Sequence, residues 1–380
     1  MYEGLTTSVS GFPDHVAAEI AALGEEARTE LRRCERAGIF PRDIYGEMGR
    51  RGWIAPFTPT EVGGLGGGIA EYCVVAEEVA RHGLVSPQIS VQGQRWLMDW
   101  GTPEQKEKYL GPIARGEMIF SESISEPGVG SSLKLMTATA RRDGDDWILN
   151  GRKTHVNLGH QCDVTMVFVM VGKGLSAFLV DMTLPGVKSE QTEPIGVRLI
   201  PTADMWFDDV RLPSSALFGE AGRGMETFLS TFNVSRLGNA SELIGFGRRA
   251  LAHAIDYAQT RQVGDHLVTD FQGIQWTVAD RWADLVAAAA VRNQAASVLD
   301  RGLDPALSTS VAKKLAIDAA ERAVNDSFAL IGGHGLYTST DFGQLLHDVK
   351  VLRIAGGSVE VLRNYIARRV LRSVTYEGLA

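Results

Sequence analysis

The spacing of apolar residues changes twice along this 380-residue chain, and that change limits the folds it can adopt. Up to about residue 116 apolar side chains recur at helical spacing, as in the stretch 72–79. From about 118 to 218 the spacing becomes two, in short β-rich runs separated by Gly and Pro turns. From about 224 to 372 it is helical again and rich in alanine. The pattern predicts a mainly α protein with a central antiparallel β-barrel or sandwich and a C-terminal helical bundle.

The changes of period also predict the domain boundaries, which we place at 1–117 (helical), 118–222 (β) and 223–380 (a four-helix bundle). Within the β domain, the turn Asp143-Gly144 separates two β-rich runs and predicts a hairpin. Within the bundle, apolar residues at every fourth position from 307 to 323 predict a long helix that ends at Gly332.

Charge and cysteine usage narrow the function. With 38 Lys and Arg against 46 Asp and Glu, the net charge of −8 argues against a nucleic-acid-binding surface. The sequence contains no apolar run of about 20 residues and no signal-peptide pattern, so we expect a cytoplasmic protein that does not enter a membrane. Three cysteines without a CxxC spacing, and scattered histidines, argue against disulfides and a metal site.

The motif with the clearest chemistry is the segment SEPGVGSS at 125–132, which follows a β-rich run. Its glycines let backbone N–H groups and hydroxyls approach a planar polar ligand. Further strings follow in order: LNGRK at 149–153, VRLP at 210–213, GGHG at 332–335 and IAR at 366–368. Together they resemble the acyl-CoA dehydrogenase family over nearly the whole chain.

The resemblance implies an FAD cofactor and a homodimer or homotetramer that oxidises an acyl thioester, carried by coenzyme A or an acyl carrier protein. A guanidinium suits the pyrophosphate-binding position that Arg261 would fill. The family pattern places substrate contacts at Ser132 and Arg236. It places the cofactor contacts at Ser125, Gly130, Ser131, Asn157, Arg261, Gln272, Gly332, Gly333, Ser358 and Glu360.

The family's catalytic base is absent from both of its known positions. Desaturation requires a carboxylate that removes the α proton while the β hydrogen leaves as hydride to the flavin. The family's usual position for this glutamate corresponds to Gly356, and the alternative position, just before Arg236, is Ser235. Either the base has moved or the reaction has changed.

Three residues are candidates for a relocated acid or base. Glu122 lies in the strand before the flavin loop, where a dry pocket would raise its pKa. The competing interpretations are a solvent-facing carboxylate and an ion-pair partner of an arginine. His155 takes a position that is usually aromatic and could act as an acid or base, or simply pack as a hydrogen-bonded ring. Glu242 is a weaker candidate, for which we expect an exposed position on a helix.

Several functions remain open at this point. The first hypothesis is a FAD-dependent oxidoreductase of acyl thioesters that serves a specialised biosynthetic pathway, and its electron acceptor is unknown. The others are a non-catalytic partner subunit of a mixed oligomer and a repurposed flavin enzyme that catalyses monooxygenation or a redox-neutral reaction. The Gly356 substitution would give such an enzyme room for a bulky substrate.

Overall fold

The computed structural model describes residues 14–130 and 132–373, which form two compact units. Each unit is built from separate stretches of the chain. Within the described residues, the first unit contains 14–25, 68–84 and 233–373, and the second contains 26–67 and 85–232.

The elements are numbered in chain order. The helices are α1 (Asp14–Glu26), α2 (Arg28–Ala37), α3 (Arg42–Arg50), α4 (Ile69–Arg81), α5 (Gln88–Trp100), α6 (Pro103–Gln105), α7 (Gly111–Ala114), α8 (Gly224–Ser230), α9 (Phe232–Thr260), α10 (Gln272–Asp300), α11 (Ala306–Ile331), α12 (Phe342–Ile354) and α13 (Val359–Ser373). The strands are β1 (Phe120–Ser123), β2 (Thr139–Asp143), β3 (Asp146–Asn157), β4 (Val164–Val171), β5 (Gly174–Asp181), β6 (Val187–Thr192), β7 (Thr202–Leu212), β8 (Leu217–Phe218), β9 (Gln262–Val263) and β10 (His266–Leu267).

The second unit contains a sheet with the strand order β6-β7-β3-β2-β4-β5-β8, and β1 pairs with β4. The predicted hairpin is confirmed as β2 and β3, which pair from Asp143 opposite Asp146. The predicted closed barrel is not confirmed, because the strand order of the described residues does not return to its start. The sheet is also mixed rather than antiparallel. Since the β2–β3 hairpin separates β1 from β4 in the chain, β1 can run parallel to β4.

Both faces of the sheet are buried at β4, which explains the nearly continuous apolar run of this strand. Met166 and Phe168 belong to one apolar cluster, whereas Val167 and Val169 belong to another. Side chains two apart on a strand share a face, so β4 contributes to both clusters in alternation. The strand therefore has no solvent-facing row of polar residues.

The first unit has a core rich in alanine. Ala288 and Ala289 of α10 and Ala316 and Ala320 of α11 are buried in one cluster, and these small side chains let the helix axes approach closely. The helix α11 confirms the prediction from the 307–323 pattern, and it ends where predicted, at Gly332, whose φ is +62°.

A buried ionic network joins α4 to α9 and α10 within the first unit. The Glu77 carboxylate accepts a hydrogen bond of 2.9 Å from Arg292 and forms an ion pair with Arg248. The Glu77 and Arg292 side chains have no exposed surface, and that of Arg248 is 4% exposed. At the start of α4, the Asp300 carboxylate accepts hydrogen bonds from the backbone N–H groups of residues 69 and 70. These contacts fix α4 against the long helices.

Helix α6 is capped by Thr102, whose hydroxyl accepts a hydrogen bond of 3.2 Å from the Gln105 backbone N–H. Beyond that turn, residues 106–110 form a wider π-helical turn before α7. None of the helices in the described part of the chain is long and apolar enough to cross a bilayer.

Candidate functional site

The loop at 125–130, which follows β1, is anchored by one buried side chain. The Glu126 carboxylate accepts hydrogen bonds of 2.7 Å from both the backbone N–H and the hydroxyl of Thr137, and of 3.0 Å from the Ala138 N–H. It also accepts a hydrogen bond of 2.8 Å from the Lys153 ammonium group. The side chains of Glu126 and Lys153 are 1% and 0% exposed. The loop is thus tied to the segment before β2 and to β3.

The charges of this buried pair attract each other, although burial still lowers the pKa of the Lys153 ammonium group to about 8. Burial by itself would raise the pKa of Glu126, but the hydrogen bonds from Lys153 and Thr137 outweigh it and hold this pKa below its usual value. Sequence reasoning quoted Glu126 and Lys153 only as members of two motifs. In the sequence, each residue stands out only as a charged side chain within a motif. Their pairing depends on the register of β3, which the motifs do not determine.

The tip of the loop is open. An added Cβ at Gly128 or Gly130 would meet no other heavy atom within 4 Å, and Gly128 has a φ of +82°. The carbonyl of Ser125 accepts a hydrogen bond of 2.9 Å from the Thr154 N–H, so the base of the loop lies beside β3. Ser132 is exposed, and Ser131 lies outside the described residues. The loop therefore offers backbone groups to a ligand that could approach them directly.

Glu122 is half-buried in the middle of β1, opposite Met166 of β4. It shares a strand face with Phe120 and Ile124, both of which contact the same apolar cluster. Burial raises the pKa of the Glu122 carboxyl to about 7, and no charged or hydrogen-bonding group of the described residues contributes to that shift. A carboxyl with such a pKa can both hold and release a proton near neutrality.

This shift predicts a pH-dependent stability. The folded chain keeps the Glu122 proton up to about pH 7, whereas the unfolded chain loses it near 4.5. Stability therefore falls as the pH rises between these values, because the unfolded state then binds fewer protons. Glu122→Gln removes this penalty, and we expect its stability gain to grow from pH 5 to 7 and reach about 1–3 kcal/mol.

Urea unfolding of both proteins between pH 5 and 8 measures this difference. The matched control is Glu190→Gln, which changes an exposed glutamate on β6 of the same sheet. A gain for Glu122→Gln that is independent of pH, or an equal pH dependence in the control, would contradict the assignment.

His155 lies on β3 at an irregularity in the β3–β7 pairing and has a φ of +56°. A bulky residue with positive φ is strained, and such strain often marks functional positions. The neighbouring Thr154 hydroxyl donates a hydrogen bond of 2.5 Å to the Asp204 carboxylate. Asn157 is exposed, and its carbonyl accepts a hydrogen bond of 2.6 Å from the Ser121 hydroxyl. The structure thus brings the segments that carry Glu122, Ser125, His155 and Asn157 side by side.

In the first unit, Gly356 lies in the turn between α12 and α13, with a φ of +64°. An added Cβ there would meet the Asn239 Nδ2 at 2.3 Å, the Lys313 Nζ at 3.3 Å and the Ser235 Oγ at 3.4 Å. The Asn239 and Lys313 side chains come from α9 and α11, respectively, and both residues are buried. The position therefore faces a packed polar cluster.

Two buried cations belong to this region. Burial, and then the charge of Arg236, lower the pKa of Lys313 to about 7. Burial also lowers the pKa of Arg236, whose guanidinium donates a hydrogen bond of 3.1 Å to the Ser310 hydroxyl. Sequence reasoning missed Lys313 and Asn239. The sequence signal that could have identified each of them is a polar residue on the inner face of a helix rich in small residues.

The remaining predicted cofactor residues of the first unit lie at the ends of its helices. Arg261 follows α9, Gln272 opens α10, Gly332 and Gly333 follow α11, and Ser358 and Glu360 lie at the start of α13. An added Cβ at Gly332 or Gly333 would meet no other atom within 4 Å. Next to these glycines, His334 stacks on Tyr257, with ring centroids 5.5 Å apart. The glycines leave backbone accessible to a ligand.

The expectation for Glu242 was wrong. Instead of occupying an exposed helix face it is buried, at 2% exposure. Burial, and then the charge of Glu242, raise the pKa of Tyr72. The sequence suggested exposure because charged residues are seldom buried without a partner.

The chain thus combines a sheet, preceded and followed in the sequence by helices, with an anchored glycine loop after the first strand. Family models of the N-terminal, middle and C-terminal domains of acyl-CoA dehydrogenase match residues 16–117, 121–210 and 222–371. The chain belongs to the acyl-CoA dehydrogenase family, as the motifs predicted.

The chain is similar to characterised members. It is 32% identical to the 3-(aryl)acrylate reductase of Clostridium sporogenes over 94% of this chain and 96% of that protein. It is also 32% identical to the caffeyl-CoA reductase–Etf complex subunit CarC of Acetobacterium woodii, over 92% of this chain and 95% of the relative. The structure of butyryl-CoA dehydrogenase from Megasphaera elsdenii matches with a TM-score of 0.91 at 25% identity, covering 96% of this chain and 99% of the other.

Proposed function

We propose that this chain is an FAD-dependent oxidoreductase that interconverts a saturated and an α,β-unsaturated acyl thioester, with Glu122 as the residue that moves the α proton. The observation that carries the proposal is the half-buried Glu122 carboxyl, whose pKa burial raises to about 7. The acyl group would be carried by coenzyme A or by an acyl carrier protein.

The residues present fit FAD. Gly130 in the second unit, and Gly332 and Gly333 in the first, leave backbone accessible where a side chain would otherwise stand. The buried Glu126–Lys153 pair holds the loop that carries Gly130. Arg261 supplies a guanidinium suited to a pyrophosphate. These features support FAD contacts at the residues that the family pattern indicates, with Ser132 and Arg236 as substrate contacts.

FAD, when bound, supplies the two-electron acceptor that such a reaction needs. The chain supplies proton transfer. As a carboxylate, Glu122 accepts the α proton of a saturated thioester; as a neutral acid, it returns a proton to the α carbon of an unsaturated one. The apolar cluster on its strand face limits the water that could compete for that proton.

The reducing direction is a second candidate. Two relatives are named reductases of an unsaturated acid or thioester. With a pKa of about 7, Glu122 is protonated in roughly half of the molecules at neutral pH. The protonated form is the one that can donate a proton to the α carbon. Since one relative is named as part of an Etf complex, we propose an electron carrier of that kind as the redox partner.

The oligomeric state, the cellular location and the pathway are also proposals. The family resemblance supports a homodimer or homotetramer, the sequence pattern supports a cytoplasmic enzyme, and the loss of the usual base at Gly356 supports a role in specialised biosynthesis.

The absorption spectrum of the purified protein tests this function. We expect a flavin spectrum that is bleached by a saturated acyl-CoA from a short panel, or, after chemical reduction, restored by an unsaturated one. A colourless protein that takes up no FAD would contradict the proposal, as would a yellow protein that responds to no thioester in either direction. Oxygen consumption on reduction, without a response to thioesters, would instead indicate a monooxygenase.

A further inference from the structure

The turn around Gly356 has a conformation that only glycine adopts readily. Gly356 and Gly357 have φ values of +64° and +93°. The Lys313 ammonium group donates hydrogen bonds to the carbonyls on both sides of Gly356, those of Ala355 and Gly357. Since Lys313 has no exposed surface, it holds the turn from inside the unit.

Asn239 occupies the space that a side chain at position 356 would need. Its Nδ2 lies 2.3 Å from the place of an added Cβ, well inside van der Waals contact. The same atom donates a long hydrogen bond of 3.4 Å to the Ala355 carbonyl. Asn239 is 1% exposed, so its carboxamide has little room to move away.

We propose that Asn239 takes the place of the side chain at position 356 and excludes a carboxylate from it. A carboxamide does not ionise near neutrality, so it can donate a hydrogen bond there but cannot accept a proton as a base. Asn239 and Gly356 therefore depend on each other. A carboxylate side chain at position 356 requires that Asn239 be replaced as well. This inference rests on the proposed function, because position 356 matters for catalysis only if the chain binds a thioester as its family does.

A stability cycle tests the pairing independently of catalysis. Gly356→Ala introduces the Cβ at a positive φ, and Gly302→Ala is the matched control, since Gly302 has a φ of +68° but no other atom within 4 Å of its added Cβ. We expect Gly356→Ala to lower the Tm by roughly 2–4 °C more than the control does. Adding Asn239→Ala should recover most of that difference. Equal losses at both glycines, or strictly additive effects of Asn239→Ala and Gly356→Ala, would overturn the proposal.

Exchange of the α protons of butyryl-CoA in D₂O, followed by mass spectrometry, tests the chemical consequence. The background is Glu122→Gln, so that the proposed base does not contribute. There we expect Gly356→Glu alone to give little exchange, and Asn239→Gly with Gly356→Glu to give at least about tenfold more. Equal exchange by the single and double changes would overturn the role of Asn239.

The two proposals fail in different ways. If Glu122→Gln exchanges the α protons as fast as the unchanged protein does, the proposed function of Glu122 is wrong. The stability cycle still decides in that case whether Asn239 and Gly356 are paired. If the cycle shows no coupling while Glu122→Gln abolishes exchange, only the inference about Asn239 is wrong.

Discussion

Glu122→Gln is expected to lower the rate of thioester-dependent flavin reduction by roughly 10²–10⁴-fold. Glutamine keeps the shape of the side chain but cannot accept a proton, so thioester binding and FAD content should stay close to those of the unchanged protein. The pH dependence of the rate should also lose its inflection near 7, the pKa to which burial raises this carboxyl. Stopped-flow absorbance at the flavin band between pH 5.5 and 9 measures both effects.

Two control variants make this result interpretable. Glu190→Gln changes an exposed glutamate of the same sheet and should leave the rate within about twofold. His155→Asn removes the competing imidazole and places at that positive φ a residue that tolerates it. A large loss in His155→Asn, with the Glu122→Gln rate nearly unchanged, would move the assignment of acid and base to His155.

Glu126→Ala is expected to destabilise the protein by roughly 3–5 kcal/mol, because it leaves the Lys153 ammonium group buried without its carboxylate. The hydrogen bonds from Thr137 and Ala138 are lost with it, so the loop at 125–130 is released and FAD retention should fall. Urea unfolding measures the stability, and the ratio of flavin to protein absorbance after gel filtration measures the retention.

The double change Glu126→Ala with Lys153→Met should cost less than Glu126→Ala alone, since no buried charge is left unpaired. Glu226→Ala is the exposed comparison: its ion pair with Arg223 joins side chains that are 52% and 50% exposed and should contribute at most about 1 kcal/mol. A cost of Glu126→Ala as small as that of Glu226→Ala would show that the buried pair does not anchor the loop.

Much of the fold follows from local signals in the sequence. The hairpin at Asp143-Gly144 and the end of α11 at Gly332 depend on turn residues and were predictable. The buried face of α11 does not follow the apolar pattern of 307–323, because Leu307 is 38% exposed whereas Ser310 and Lys313 are buried. A stripe at every fourth position drifts around a helix of 3.6 residues per turn, so it cannot mark one buried face over five turns. The parallel pairing of β1 depends on residues distant in the chain.

The candidate site was predictable as a set of motifs but not as a set of contacts. Glu122 was selected from its strand position, and its burial supports that choice. The pairing of Glu126 with Lys153 bridges 27 positions in the sequence. The packing of Asn239 on Gly356 joins α9 to the turn after α12, more than a hundred residues further along the chain. Such contacts arise from strand register and helix packing, which one sequence does not encode locally.

The buried ionic network has a practical consequence for expressing parts of this enzyme separately. It consists of Glu77, Arg248 and Arg292. A fragment that begins at residue 222, where the C-terminal family match starts, retains both guanidinium groups and loses the carboxylate that neutralises them. To fold, this fragment would have to let water reach the Arg248 and Arg292 guanidinium groups or move them to its surface. Any attempt to express the long helices by themselves therefore needs the α4 segment supplied with them, on the same polypeptide or as a peptide added in trans.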